Sequence, residues 1–266
     1  MATDFDLTHE LSISWVWFKM TAMGRMEDAL TFLPLWAGSI LAMVLYIVFF
    51  NAIFAKTQSL GGWSYGEVMV LLGVVRIIQA IAWGFWSRGG FPRLYRSILK
   101  GTLDSDLVKP MNLRVQFIFN NADFVTLIEG LVLGIGLIWY GLSSIHVQVQ
   151  WTMFLFILFC ACVIHYSVVC LFSSINFWTL VRDFGYLMNE TFDLGKYPIT
   201  IYRGAMRWFL TLVIPLGCIY TFPSRALLGT LTVQELLIMM AVTVVFYLLG
   251  LSVWKLGLKR YESALS

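Results

Sequence analysis

Charged residues are scarce in this chain: 12% of its 266 residues are Asp, Glu, Lys or Arg. A soluble domain carries roughly 25%, so water is not the solvent for most of this sequence. No Gly-x-x-x-x-Gly-Lys-Ser/Thr run is present, which excludes a nucleotide-binding P-loop of the chain's own. His-Glu-x-x-His, Gly-x-Ser-x-Gly and EF-hand patterns are missing too, so neither zinc hydrolysis nor a nucleophile elbow nor a calcium loop is expected. The three histidines, His9, His146 and His165, lie far apart. The four cysteines, Cys160, Cys162, Cys170 and Cys218, sit inside apolar runs and read as small hydrophobes. Cys160 and Cys162 lack the companion His or Cys pair of a zinc site. The first six residues carry two acids and no basic start, unlike a cleavable signal peptide. No catalytic, cofactor-binding or metal site is therefore expected in this chain, and no nucleic-acid partner.

Apolar residues are abundant: 59% of the chain, with a mean hydropathy of +0.80. A single core in water could not hide that much apolar surface. A helix crossing the hydrocarbon core needs roughly 20 mostly apolar residues. Six stretches qualify: residues 30–54, 65–86, 115–140, 151–178, 208–222 and 234–256. Backbone polar groups in lipid must be satisfied internally, so these spans are predicted as helices. They do not alternate as membrane β-strands would. The fold class is an all-α polytopic membrane protein, with residues 30–266 as one six-helix domain.

The placement of Lys and Arg sets the orientation. Fifteen of the 18 lie before span 1, between spans 2 and 3, between spans 4 and 5, or in the tail. The opposite loops hold only Lys56 and Arg225, and Arg76 lies within span 2. This bias predicts both termini on the cytoplasmic side. Within residues 1–29, Leu11, Trp15, Phe18, Ala22 and Met26 recur at helical spacing, which reads as an amphipathic helix in the interface. Span 5 is short and contains Pro215, and Pro223 ends it. Each proline removes a donor and disfavours helix for its predecessor. Pro215 is thus a hinge, and residues 222–229 are expected to form a short re-entrant hairpin on the outer face.

The ionisable residues inside spans are Arg76, Asp123, Glu129 and the titratable His165. Charges in hydrocarbon cost at least roughly 2.5–3.5 kcal/mol each. They should face the bundle interior or each other, so Arg76 is expected to pair with one of the two acids, either as a structural pair or as the lining of a substrate path. His165 reads as a hydrogen bonder between helices. Asp183, Glu190 and Asp193, interleaved with Arg182 and Lys196, read as a solvated cytoplasmic loop.

The connection at residues 87–116 is the most informative stretch. Phe91, Leu94, Tyr95, Ile98 and Leu99 recur at helical spacing, with Arg93, Arg96 and Lys100 between them and Gly101 as an end cap. Such a short amphipathic helix has two physical destinations: a groove on a cytoplasmic partner, or the bilayer surface. Here the sequence resembles a known family. The run from Ile98 through Gly101, Leu103, Asp104 and Leu107 to Pro110 fits an I-x-x-G-x-L-D-x-x-L-x-x-P signature of type-2 ABC exporter permeases. A second block follows in the right order: Pro198-Ile-Thr-Ile-Tyr202, then Leu210-Thr-Leu-Val-Ile-Pro215, then Pro223-Ser-Arg-Ala-Leu-Leu-Gly229. Arg225 within that block departs from the family pattern.

The resemblance implies a permease subunit of an ATP-driven exporter in a prokaryotic cytoplasmic membrane. It implies a dimer with a second, identical or paralogous permease and two copies of a cytoplasmic ABC ATPase, which would carry ATP and Mg. The helix from Phe91 to Gly101 would be the coupling helix, and the N-terminal amphipathic helix the connecting helix. The substrate itself is not given by the resemblance; the aromatic richness, 16% of the chain, would suit an amphipathic or lipid-like cargo. The readings that compete with it are an ATP-independent secondary transporter or channel, and a membrane-embedded lipid-modifying enzyme. The first usually shows internal repeats, which are missing. The second needs acids or histidines clustered at one interface.

Overall fold

The computed structural model describes residues 29–109, 111–119, 122–179 and 190–265. The N-terminal amphipathic helix, Pro110, Arg182 and Asp183 lie outside them. Among the described residues the architecture is all helical. Five helices are long and apolar enough to cross a membrane. They are α1 (Ala29–Phe54), α2 (Tyr65–Phe85), α6 (Phe124–Ser143), α7 (Trp151–Ser174) and α10 (Val233–Leu265). The short helices α3 (Leu94–Leu99), α4 (Thr102–Leu107) and α5 (Leu113–Phe119) fill the connection between α2 and α6. The bundle therefore has two ends. The upper end carries the α1–α2 and α6–α7 connections, and the lower end carries α3 to α5.

Local chemistry fixes where the helices start. Ser64 and Glu67 form a capping box at the head of α2, with the Ser64 N–H donating to Glu67 Oε2 at 2.7 Å. Thr232 and Glu235 make the same exchange ahead of α10. Asp123 caps α6 by accepting from the Thr126 N–H at 3.2 Å. This cap corrects the expected third span of residues 115–140: the membrane helix begins at Phe124, and residues 113–119 form the separate helix α5. α10 has 33 residues, about 50 Å at the helical rise. That exceeds a hydrocarbon core of about 30 Å, so α10 reaches past the lower end of the other helices.

α2 and α6 approach most closely. A Cβ on Gly73 would lie 2.6 Å from the Gly134 carbonyl oxygen, and one on Gly141 would lie 2.6 Å from the Gly66 carbonyl oxygen. Gly130 faces Ala80 in the same row, where a Cβ would meet the Ala80 Cβ at 2.5 Å. Small residues let the two backbones touch, which is how helices associate where lipid removes the hydrophobic drive. α10 packs on α7 in the same way, with Gly250 against the Ser167 backbone and Gly257 against the Phe177 ring.

The predicted fifth span is not one straight helix. Gly204–Val213 and Gly217–Leu227 meet at 75°. They comprise α8 (Gly204–Trp208), two π-helical turns (Phe209–Val213 and Gly217–Thr221) and α9 (Phe222–Leu227). Ile214, next to Pro215, has φ −110° and ψ 88°, outside the helical region that proline denies its predecessor. The expected hairpin at residues 222–229 is also corrected. Residues 222–227 are helical, and Pro223 sits in the first turn of α9, where a missing N–H breaks no bond. Both ends of this bent pair meet the upper end. Just before it, Thr200 and Ile201 pack against Gly61 of the α1–α2 connection. At its last residue, the Leu227 carbonyl accepts the Gln150 N–H at 3.1 Å.

Candidate functional site

Two features outside the packed core stand out: an edge at the lower end and a cleft between α1 and α2.

The edge is built from α3 and α4. Gly90 allows the chain to pass between two backbones, because a Cβ there would lie 2.7 Å from both the Trp86 and Phe117 carbonyl oxygens. The next residue, Phe91, is fully buried. Its ring stacks on Phe117 and meets Tyr166 and Trp254 edge-on at 5.3 and 5.5 Å. Leu94 and Leu103 are equally buried. Gly101, at φ +67°, turns the chain between the two short helices, a left-handed conformation that favours glycine. The Tyr261 hydroxyl of α10 donates to Asp104 Oδ1 at 2.6 Å. Gln116 of α5 donates to the Asp106 and Met111 carbonyls at 3.0 and 2.9 Å, and Lys109 pairs with Asp106 at 2.6 Å.

The edge is thus held by buried rings behind it and polar ties beside it. Its exposed side chains include Arg93, Arg96, Lys100, Asp104 and two apolar ones, Leu99 at 59% exposure and Val108 at 85%. This corrects one expectation. Phe91 and Leu94 were expected on a docking face, but they point into the chain's own bundle. Tyr95, Ile98 and Leu107 are half-buried.

The cleft has a volume of about 640 Å³ and lies where α1 stands away from α2. Arg76 Nη2 reaches both Glu129 carboxylate oxygens, at 2.6 and 2.7 Å, so the pair joins α2 to α6 across the membrane interior. Trp83 takes two guanidinium groups near its ring, Arg76 at 5.6 Å and Arg88 at 4.4 Å. Deeper in the cleft, Asp193 accepts from Gln79 Nε2 at 3.2 Å and from Lys196 Nζ at 2.7 Å. Lys196 also donates to the Tyr46 hydroxyl of α1 at 2.7 Å. The expected solvated loop around residues 190–196 is thereby corrected: it packs against the middle of α1 and α2. Its neighbours agree, since Phe192 stacks on His165 of α7 at 4.1 Å and Gly195 lies against Tyr220.

The other intramembrane polar residues lie elsewhere. His165 is buried and accepts from Trp86 Nε1 at its Nδ1, 3.1 Å away, a hydrogen bond between α2's end and α7. Asp123 serves as a helix cap rather than as the partner of Arg76. Among the described residues no three His, Cys, Asp or Glu side chains are placed to hold a metal ion.

The model of the ABC-2 family transporter proteins matches residues 40–264. The chain belongs to that family. No curated protein and no solved structure matches it. As a member of the ABC-2 family, the chain is a multi-pass membrane protein of the kind that serves as an ABC transporter's membrane subunit, and the family works with an ATPase partner in general. Both signature blocks noted in the sequence fall inside the matched residues. The structure brings the first block's Gly101, Leu103, Asp104 and Leu107 together at the lower edge. The second block supplies the residues 198–202 that pack at the upper end and the bend at Pro215.

Proposed function

We propose that this chain is the permease subunit of an ATP-driven exporter, in which a separate ATPase carries ATP and Mg and docks on the α3–α4 edge. The observation that supports this most is the pairing of rigidity and exposure at that edge. Buried Phe91, Leu94 and Leu103 fix it to α7 and α10, while Leu99, Val108, Arg96 and Lys100 stay exposed. A push on such an edge is delivered to the membrane helices rather than lost in a flexible loop. The dimer is a pair of permeases with two ATPases, in the cytoplasmic membrane of a prokaryote.

The lower end is cytoplasmic in this reading. Nine Lys and Arg of the described residues lie in the connections and tail there, against four at the upper end. Residues 190–201 climb from the level of His165 to the α1–α2 connection, so the fifth crossing runs through them, and residues 204–227 form a re-entrant hairpin from the upper face. The polar backbone at its bend is tolerated because it rests on protein: the Thr211 carbonyl accepts from Cys218 Sγ, and Thr211 Oγ1 donates to the Arg207 carbonyl.

The test is co-purification of the solubilised chain with its candidate ATPase, wild type against Leu99→Asp/Val108→Asp. Both substitutions fall on exposed positions and leave the bundle intact. Capture of a P-loop polypeptide that hydrolyses ATP, lost in the double variant, is the expected result. Equal capture by the double variant removes the edge from the docking site.

A further inference from the structure

The wall of the cleft carries two ion pairs and two further charges. Arg76 is neutralised by Glu129, and Lys196 by Asp193. Two charges of opposite sign remain on the cleft wall, Arg88 and Glu190. Neither has an ion-pair partner among the described residues, and they are not paired with each other; Arg88 makes only its contact with Trp83. Both are exposed, and Arg88 lies just past the lower end of α2.

The remainder of the cleft suits a hydrocarbon chain. Along α1 it runs from Pro34 to Tyr46, about 18 Å at the helical rise. One leaflet's share of the hydrocarbon core is about 15 Å. The α1 wall combines the small residues Gly38, Ser39 and Ala42 with the larger Met43 and Tyr46, and a Cβ on Gly38 would meet nothing within 4 Å. Phe50 is the one buried residue among the described side chains of α1, so the described chain leaves the cleft open along α1.

We propose that this cleft binds a zwitterionic amphipath: one apolar tail region along α1, with a headgroup anion at Arg88 and a headgroup cation at Glu190. A purely anionic head would meet the uncompensated Glu190 carboxylate, and a purely cationic one would meet Arg88. A head carrying both signs satisfies both. The inference deepens the exporter reading by naming a cargo class, but its test needs no ATPase.

The full-length chain, purified in detergent, is incubated with equal amounts of phosphatidylethanolamine and phosphatidylglycerol of the same acyl chains and weighed intact by native mass spectrometry. Phosphatidylethanolamine adducts are expected to exceed phosphatidylglycerol adducts about five-fold, the ratio one exposed charged contact supplies. Glu190→Gln brings the ratio to about one by losing phosphatidylethanolamine, and Glu190→Lys inverts it. Arg88→Gln weakens both lipids about five-fold, as loss of one exposed charged contact to phosphate does. Gly38→Trp fills the cleft and removes the adducts from protein that stays monodisperse. Soluble phosphoethanolamine, which has the head but no tail, leaves the lipid adducts in place. Equal adducts of the two lipids on wild type, or adducts indifferent to Glu190→Gln and Arg88→Gln, overturn the proposal. Displacement of lipid by soluble phosphoethanolamine overturns it in favour of a water-soluble zwitterion. Loss of ATPase capture with lipid selectivity intact would refute the docking edge alone.

Discussion

α1 and α2 are both apolar membrane helices, yet they live in different surroundings. In α2, 78% of the spanning residues are buried inside the protein, and in α1 only 6%. Hydropathy does not separate them, because lipid and protein interior are equally apolar. Small residues do. α2 presents Gly66, Gly73 and Ala80 at seven-residue intervals to Gly141, Gly134 and Gly130 of α6. α1 has Gly38, which touches nothing, and large side chains such as Leu41, Leu45 and Val48 that face outward. Helices in lipid pack where their backbones can approach, so α2 forms the scaffold and α1 stands off to leave a cleft.

The comparison breaks most sharply at the glycines. Gly73→Leu or Gly134→Leu forces a side chain into a backbone carbonyl that cannot move aside, a cost of about 3 kcal/mol or more. Size-exclusion chromatography of the solubilised variants should show little monodisperse protein. Gly38→Leu in α1 should elute as wild type. The next largest effect is on the charge that α2 carries through the membrane. Glu129→Gln leaves Arg76 unpaired in the interior and should destabilise by about 3–5 kcal/mol, while replacing both residues with Met should recover most of that loss. Thermal unfolding in detergent, run as a double-mutant cycle, reads the difference.

Smaller again is Trp86→Phe, which removes the donor to His165 and should cost about 1–2 kcal/mol, because a buried acceptor is left without its hydrogen bond. The smallest effect belongs to α1. Tyr46→Phe deletes one bond from Lys196 across the gap and should cost about 1 kcal/mol or less, since Lys196 keeps Asp193. A Tyr46→Phe loss as large as that of Glu129→Gln would mean that α1 is part of the scaffold after all.

The spans were legible because twenty apolar residues in a row have few other meanings, and the pairing of Arg76 was legible because an isolated charge in lipid is so costly. Which acid it pairs with was not. Both Asp123 and Glu129 lay inside the apolar stretch read as one helix, and only the cap at Asp123 shows that the helix starts after it. The amphipathic pattern of Phe91, Leu94 and Ile98 said that one face must be covered. It did not say by what, and the answer for Phe91 is the chain's own Tyr166, Phe117 and Trp254. The cleft went unread because Glu190, Asp193 and Lys196 look like a wet loop when taken as charges alone. A signal was present: Phe192 and Leu194 flank Asp193, Tyr197 and Pro198 follow Lys196, and a paired Asp and Lys three apart can enter an apolar setting as a neutral unit. The bend in the fifth apolar stretch was legible from Pro215, whereas its angle of 75° was not, because apolar length alone does not say how two half-helices meet.

The measurement closest to the central claim is site-directed photocrosslinking in intact membranes. A photoreactive residue is placed at Leu99 or Val108 of the lower edge, and at Val147 of the upper end as its counterpart. The account predicts an adduct to a P-loop ATPase from positions 99 and 108, strengthened when nucleotide is trapped, and none from position 147. An ATPase adduct from position 147 with none from 99 or 108 would contradict both the docking edge and the orientation built on it.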